Sequence, residues 1–184
     1  EPEMVEQVQD EKKGAKKHLK VVLYWHMHQP EYRDLRTGVY RLPWTYLHAI
    51  KDYVDMVAHL EANPEAHAVI NFAPTLLEQI EDYAQQVHGF LTNGVAIRDY
   101  LLSSLVEAAL PVAVEQRMRL IKDCLRANEK HLIGRFPAYQ RLADLAPWLL
   151  EHPDAMTYLE DQYLVDLLVW HQDRKSTRLN SSHV

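Results

Sequence analysis

With 184 residues, 47% of them apolar, the chain can bury one sizeable core, and a single domain is the default organisation. Its net charge of −6 argues against a nucleic-acid partner, and no apolar stretch of about 18 residues exists to span a membrane. The lone cysteine, Cys124, excludes an intrachain disulfide and fits a reducing compartment, so a cytoplasmic location is expected.

Residues 1–18 alternate acidic side chains (Glu1, Glu3, Glu6, Asp10, Glu11) with Lys12, Lys13, Lys16 and Lys17. They resemble neither a signal peptide nor a core element, and are expected to form a disordered leader or linker. With Glu at position 1, the natural amino terminus can lie further upstream. The apolar run 19–23 then reads as a buried strand leading into Tyr24-Trp25-His26-Met27-His28-Gln29-Pro30. Side chains alternate on a strand, so His26 and His28 are expected on one side with Gln29 beside them, and Pro30 ends the ladder.

Residues 31–39 form a polar loop. Trp44, Leu47, Ile50, Val54, Val57 and Leu60 then recur at helical spacing up to Asn63-Pro64. A second strand is expected over 66–72. Thr75-Leu76-Leu77-Glu78 reads as a capping box opening a helix with Leu76, Ile80, Tyr83 and Val87 on one face, and Gly89 is the expected C-cap. Strand–helix–strand–helix is the grammar of an α/β fold with a parallel sheet or barrel. Four amphipathic helices follow, over 97–110, 114–133, 139–150 and 157–170. Asn128 interrupts the second, and Pro147 is expected to kink or break the third. Having only five glycines suits such long helices better than a turn-rich all-β chain.

Cys124 lies in an apolar stripe and reads as inert core. Arg117, Arg119, Lys122, Arg126 and Lys130 interleave with Glu115, Asp123 and Glu129 and read as a solvated helix face. From Asp173 onward the composition changes abruptly. Residues 173–184 resemble translated sequencing-adapter sequence rather than a natural continuation, so the native reading frame is expected to run on differently.

His26-Met27-His28-Gln29-Pro30, Tyr40-Arg41-Leu42-Pro43-Trp44, Lys51-Asp52-Tyr53 and the block from Asn71 to Gln79 (N-F-A-P-T-L-L-E-Q) stand in the order and spacing of another set of proteins. In these four blocks the chain resembles the start of glycoside hydrolase family 57, closely over about 19–88 and more loosely over 96–171. The resemblance implies an incomplete barrel of seven β/α units, with two parallel strands and about six helices in this segment. Residues 19–95 would begin the barrel and 96–172 would be a helical insertion of the same domain. It also implies a retaining hydrolase or transglycosidase acting on α-glucans such as starch or glycogen, at α-1,4 linkages with α-1,6 left open, and needing no cofactor. Hydrolase and transferase are not separated by it, and oligomeric state is not addressed.

Retaining glycosidases use two carboxyl groups about 5–5.5 Å apart, one as nucleophile and one as general acid/base. In the resembled family these are a glutamate and an aspartate in motifs that do not occur in this sequence, so no catalytic residue is assigned here. Glu31 and Asp34, beside Arg33 and Arg36, read as ion-paired surface carboxylates. The resemblance gives His26, His28 and Gln29 the role of binding sugar hydroxyls; in the same substrate-binding reading the Trp44 indole can serve as a stacking plate or a core residue, and Asn71, near the end of the second strand, is expected to face the site. His48, Lys51 and Asp52 read as a helix-surface network, and His67, His88, His131 and His152 as solvated. Two other readings remain at this stage. H-x-H can open a metal-dependent amidohydrolase-like site with His26 and His28 as ligands. Alternatively, the helical half can be a non-catalytic interaction module, marked by an exposed apolar patch.

Overall fold

The computed structural model describes residues 19–107, 110–126 and 133–176, the last three of them as backbone. The expected leader at 1–18, Asn128 and His131, Glu129 and Lys130, and the tail beyond 176 lie outside the described residues. Two parallel strands, β1 (Leu23–Met27) and β2 (Ala68–Phe72), pair in the register Leu23–Ala68, Trp25–Ile70, His26–Asn71 and Met27–Phe72. Parallel neighbours need a crossover, and the helical stretch between them provides it. The register continues past the strands, where the Ala73 amide donates to the Met27 carbonyl at 2.9 Å. The mixed α/β architecture agrees with the sequence reading, but the first strand is displaced. Residues 19–22 lie before it, and Leu19, Val21 and Val22 are exposed rather than buried. Of β1 only Met27, at 4% exposure, reaches the core.

The crossover is one helical rod in three parts: α1 (Trp44–His48), a π turn (Ala49–Tyr53) and α2 (Val54–Glu61). Thr45, Tyr46 and Leu47 are buried in α1, but the expected stripe fails from the π turn onward, where Ile50 within it and Val54 and Val57 after it are exposed. A π turn holds one extra residue, so the positions after it are rotated back by about 100° relative to an uninterrupted helix.

Helix α3 (Pro74–Asn93) corrects both expected caps. Ala73 is the N-cap and Pro74 takes the first helical position, where its missing N–H costs nothing, so Thr75 falls inside the helix and makes no cap bond. The C-cap is Gly94, in the left-handed conformation at φ 66°, and Gly89 lies within the helix. The buried face is also rotated from the apolar reading: Leu76, Gln79, Tyr83 and Gln86 are buried, whereas Val87 is exposed.

The remaining helices are α4 (Tyr100–Val106), α5 (Val114–Cys124), α6 (Pro137–Glu151), a 3-10 turn (Pro153–Thr157) and α7 (Asp161–Ser176). Helix α5 ends at Cys124, with residues 127–132 of the expected stretch outside the described residues, and two side chains bond the Cys124 carbonyl. Tyr139 Oη donates to it at 2.7 Å, and His171 Nδ1 does so at 2.8 Å. Helix α6 runs through Pro147 without a break, and α7 starts four residues later than expected and continues past Asp173.

Two apolar clusters hold these parts together. The larger joins α4, α5, α6 and α7 through Leu120, Ile121, Tyr139, Met156, Leu164 and Leu167, with Cys124 fully buried among them as expected. The smaller consists of Tyr40, Tyr46, Leu47 and Tyr83, and Leu102 packs on it from the helical part. Tyr46 Oη also donates to Gln172 Oε1 at 2.6 Å, tying the crossover to α7. Arg117 departs from the solvated-face reading, since it is buried, donates to the Met156 carbonyl at 3.1 Å and pairs with Asp161. Among the described residues, no helix is long and apolar enough to cross a membrane.

Candidate functional site at the strand ends

His26, next to last in β1, faces Asn71 of β2, and their side chains meet on the same face: imidazole Nδ1 lies 2.6 Å from Asn71 Oδ1. With the amide oxygen as acceptor, the ring donates through Nδ1 and its Nε2 is left as an acceptor in the neutral form. His28 lies two residues on, on the same side, its ring 6.0 Å from that of His26 and 11° from parallel. The residue between them, Met27, is buried, whereas both histidines are exposed, as strand alternation demands. Two near-parallel imidazoles and an amide thus stand at the carboxyl end of two parallel strands, the end at which α/β folds place ligands.

Gln29 turns from this row towards the crossover helix. Its Nε2 donates to Tyr53 Oη at 3.3 Å, and its Oε1 accepts from Tyr32 Oη at 3.1 Å. The π turn that presents Tyr53 also carries Lys51 and Asp52, with His48 just before it: Asp52 accepts from both His48 and Lys51, and Lys51 reaches Asp55 at 3.7 Å. The expected network is therefore present, half-buried rather than spread over the surface.

Beneath the loop sits Gln79, fully buried on α3. Its Nε2 donates to the carbonyls of Pro30 at 2.9 Å and Thr75 at 3.0 Å, and its Oε1 accepts from the Tyr32 amide at 3.2 Å and Thr45 Oγ1 at 3.1 Å. Tyr40 Oη donates to the Gln79 carbonyl at 3.3 Å. One carboxamide therefore fastens the turn after the histidines to α3 and α1. Reasoning from sequence missed Gln79, Tyr32 and Tyr53 as site-shaping residues. The available signal for Gln79 was its spacing from Leu76 and Tyr83, which puts an amide on the inward side of the helix.

Trp44 begins α1 and packs against the tyrosine cluster, and with Tyr40, Pro43, Asp99 and Tyr100 it lines a cleft there. The Trp44 side chain is only partly buried there. Asp99, also buried, caps α4 by accepting from the Leu102 amide at 3.0 Å and accepts from Tyr83 Oη at 2.5 Å. Burial pushes the Asp99 carboxyl above its usual range, against the opposing pull of Tyr83 and the Leu102 amide. Burial and Asp99 together push the Tyr83 phenol far up.

The carboxylates nearest the histidines in sequence are both occupied by arginines. Arg33 grips Glu31 with two bonds of 3.0 and 3.1 Å, and this hydrogen bonding holds Glu31 below the usual carboxylate range. Asp34 is held down in the same way by Arg41, at 2.6 Å, where Arg36 had been the expected neighbour. His152, exposed as expected, also stacks on Trp148 at 4.6 Å, its Nδ1 2.8 Å from the Trp148 carbonyl oxygen. Among the described residues, no three His, Cys, Asp or Glu side chains gather closely enough to hold a metal ion.

An open groove of about 640 Å³ runs between Arg41, Leu42 and the exposed side of α5, where Asp123 pairs with Arg119 at 3.5 Å and Arg126 at 3.4 Å. Its cations are largely neutralised by their neighbours, so the strand ends remain the better candidate. No curated protein and no solved structure matches the chain. The pattern of one family does match, over residues 22–168, which takes in the strands, the crossover rod and most of the helical part. The match spans most of the 184 residues, and the chain belongs to glycosyl hydrolase family 57.

Proposed function

We propose that this segment forms the sugar-holding wall of an α-glucan-active site, in which His26 and His28 hydrogen-bond glucose hydroxyls and Asn71 fixes the His26 ring. Membership of the family makes the protein a glycoside hydrolase with a carbohydrate substrate. The finer reading is cleavage of α-1,4 linkages, with α-1,6 as the alternative, through a glucosyl-enzyme intermediate that is passed to water or to another sugar. The observation that carries it is the cross-strand bond from His26 to Asn71, with the His28 ring parallel beside it. A ring fixed at Nδ1 presents Nε2 in one direction, and holding a sugar in one orientation beside the reacting groups is worth far more than the bond itself.

Glu31 and Asp34 have no part in the bond-breaking chemistry in this reading. Each is held ionised by an arginine, so neither keeps the proton that a general acid must deliver. The parallel β1–β2 pair is taken as the first two strands of a larger barrel. The helical part around Leu120 and Leu164 is taken as an elaboration of the same domain, and the composition change at 173–184 as a non-native tail.

The test is to titrate the chain with maltoheptaose while following the histidine ring resonances by NMR. The His26 and His28 signals are expected to move together and to saturate. His26→Ala should weaken binding about tenfold, the worth of one orienting hydrogen bond of about 1.4 kcal/mol. Ring signals that stay still while binding is detected elsewhere would remove the histidines from the site.

A further inference from the structure

Resting on the sugar-binding reading of the strand end, we propose that Tyr53 is a second substrate-contacting group, forming with Gln29 a paired donor for two neighbouring hydroxyls of a pyranose. The π turn makes this pairing possible. In an uninterrupted helix, position 53 would follow Tyr46 by two turns and face the same way, into the tyrosine cluster. The extra residue rotates it back, and the two hydroxyls do diverge. Tyr46 Oη reaches Gln172 on α7, whereas Tyr53 Oη meets Gln29 at the strand end.

The donor count then points outward. Tyr53 Oη accepts from Gln29 Nε2, so the Tyr53 proton is not consumed by that contact. Gln29 spends its oxygen on Tyr32 Oη and one amide proton on Tyr53, leaving the second amide proton over. The two atoms holding these spare protons are 3.3 Å apart, close to the spacing of adjacent ring hydroxyls on a hexose. Gln29 directly follows His28, so this pair stands next to the imidazole row, on the side of the crossover helix. The Tyr53 ring is itself steadied, lying 6.4 Å from the His48 ring, and His48 is bonded to Asp52.

Tyr53→Phe removes only the hydroxyl and keeps the ring, so the fold is expected to melt within about 1 °C of the parent. In the 184-residue chain, maltoheptaose affinity measured by calorimetry is expected to fall about three- to tenfold, the range for one neutral hydrogen bond. The His26 and His28 ring signals should still move on saturation. Tyr158→Phe, which alters a tyrosine on the exposed surface, should leave affinity unchanged. Parent-like affinity in Tyr53→Phe, alongside weakened binding in His26→Ala, overturns this inference and leaves the histidine site standing. A parent chain that binds no maltoheptaose overturns both. Loss of affinity accompanied by a large fall in melting temperature assigns Tyr53 a structural role and overturns the contact.

Discussion

Replacing Gln79 by alanine should loosen the strand-end turn more than any surface change near the histidines. The fully buried carboxamide makes four hydrogen bonds, and removing it takes a partner from each. The Pro30 residue is exposed and its carbonyl can turn to water, while the Thr75 carbonyl remains at the start of α3. The Tyr32 amide and the buried Thr45 hydroxyl are left with no such outlet. Two orphaned donors at about 1–2 kcal/mol each give a loss of about 2–4 kcal/mol. For a chain of this length that corresponds to a fall in melting temperature of about 5–15 °C. Thermal melts and urea titration followed by circular dichroism would measure it, and a loss below about 1 kcal/mol would refute the account. Gln79→Glu sharpens the test. It keeps the acceptor towards Tyr32 and Thr45 but turns a second oxygen against the Pro30 and Thr75 carbonyls, so burial and repulsion raise the carboxyl's folded pKa above its unfolded value of about 4.3. A raised folded pKa means that stability is retained below the unfolded value and lost as pH rises through the folded one. The gap between Gln79→Glu and the parent should therefore be narrow near pH 4 and wide near neutrality. A gap independent of pH would show that the side chain does not occupy this buried position.

Two further outcomes follow from the cap residues. Asp99 is held above its usual carboxyl range, so its contribution to stability is present below about pH 4 and lost as pH rises through its folded value. Asp99→Asn keeps the acceptor for the Leu102 amide and should flatten that part of the pH–stability curve, and a parent-like curve would assign the dependence to another group. At Gly94 an added Cβ meets nothing within 4 Å, so Gly94→Ala isolates the backbone cost of the left-handed conformation. A loss of about 1–2 kcal/mol in urea unfolding is expected, and no loss would mean that the helix end is not held in that conformation.

The strand-end histidines were legible because their spacing is local: H-x-H on a strand shares a face whatever the strand pairs with. Asn71 was placed near them by the repeated strand–helix grammar. The bond itself was not legible, since it depends on a register between residues 45 apart in sequence. The misplaced start of β1 has a related cause. An apolar run shows that burial would be favourable, but not whether anything covers it, and residues 19–22 lie exposed beside a two-stranded sheet. At α3 two valid signals competed at each end. Pro74 displaced the Thr75 capping box by one residue, and of two glycines five apart only Gly94 takes the left-handed turn. What the sequence hid most completely is polar and non-local. Gln79 is an amide, which by pattern alone counts against burial, and beyond Thr75 on its own helix its partners Pro30, Tyr32 and Thr45 come from two other parts of the chain. The π turn leaves no mark that periodicity can detect, because the apolar residues around it still recur at helical spacing. Yet that turn decides whether Tyr53 faces the tyrosine cluster or the histidine row. The candidate site is therefore a short local motif, readable directly, held in place by long-range hydrogen bonds and one irregular helical turn that only the folded chain displays.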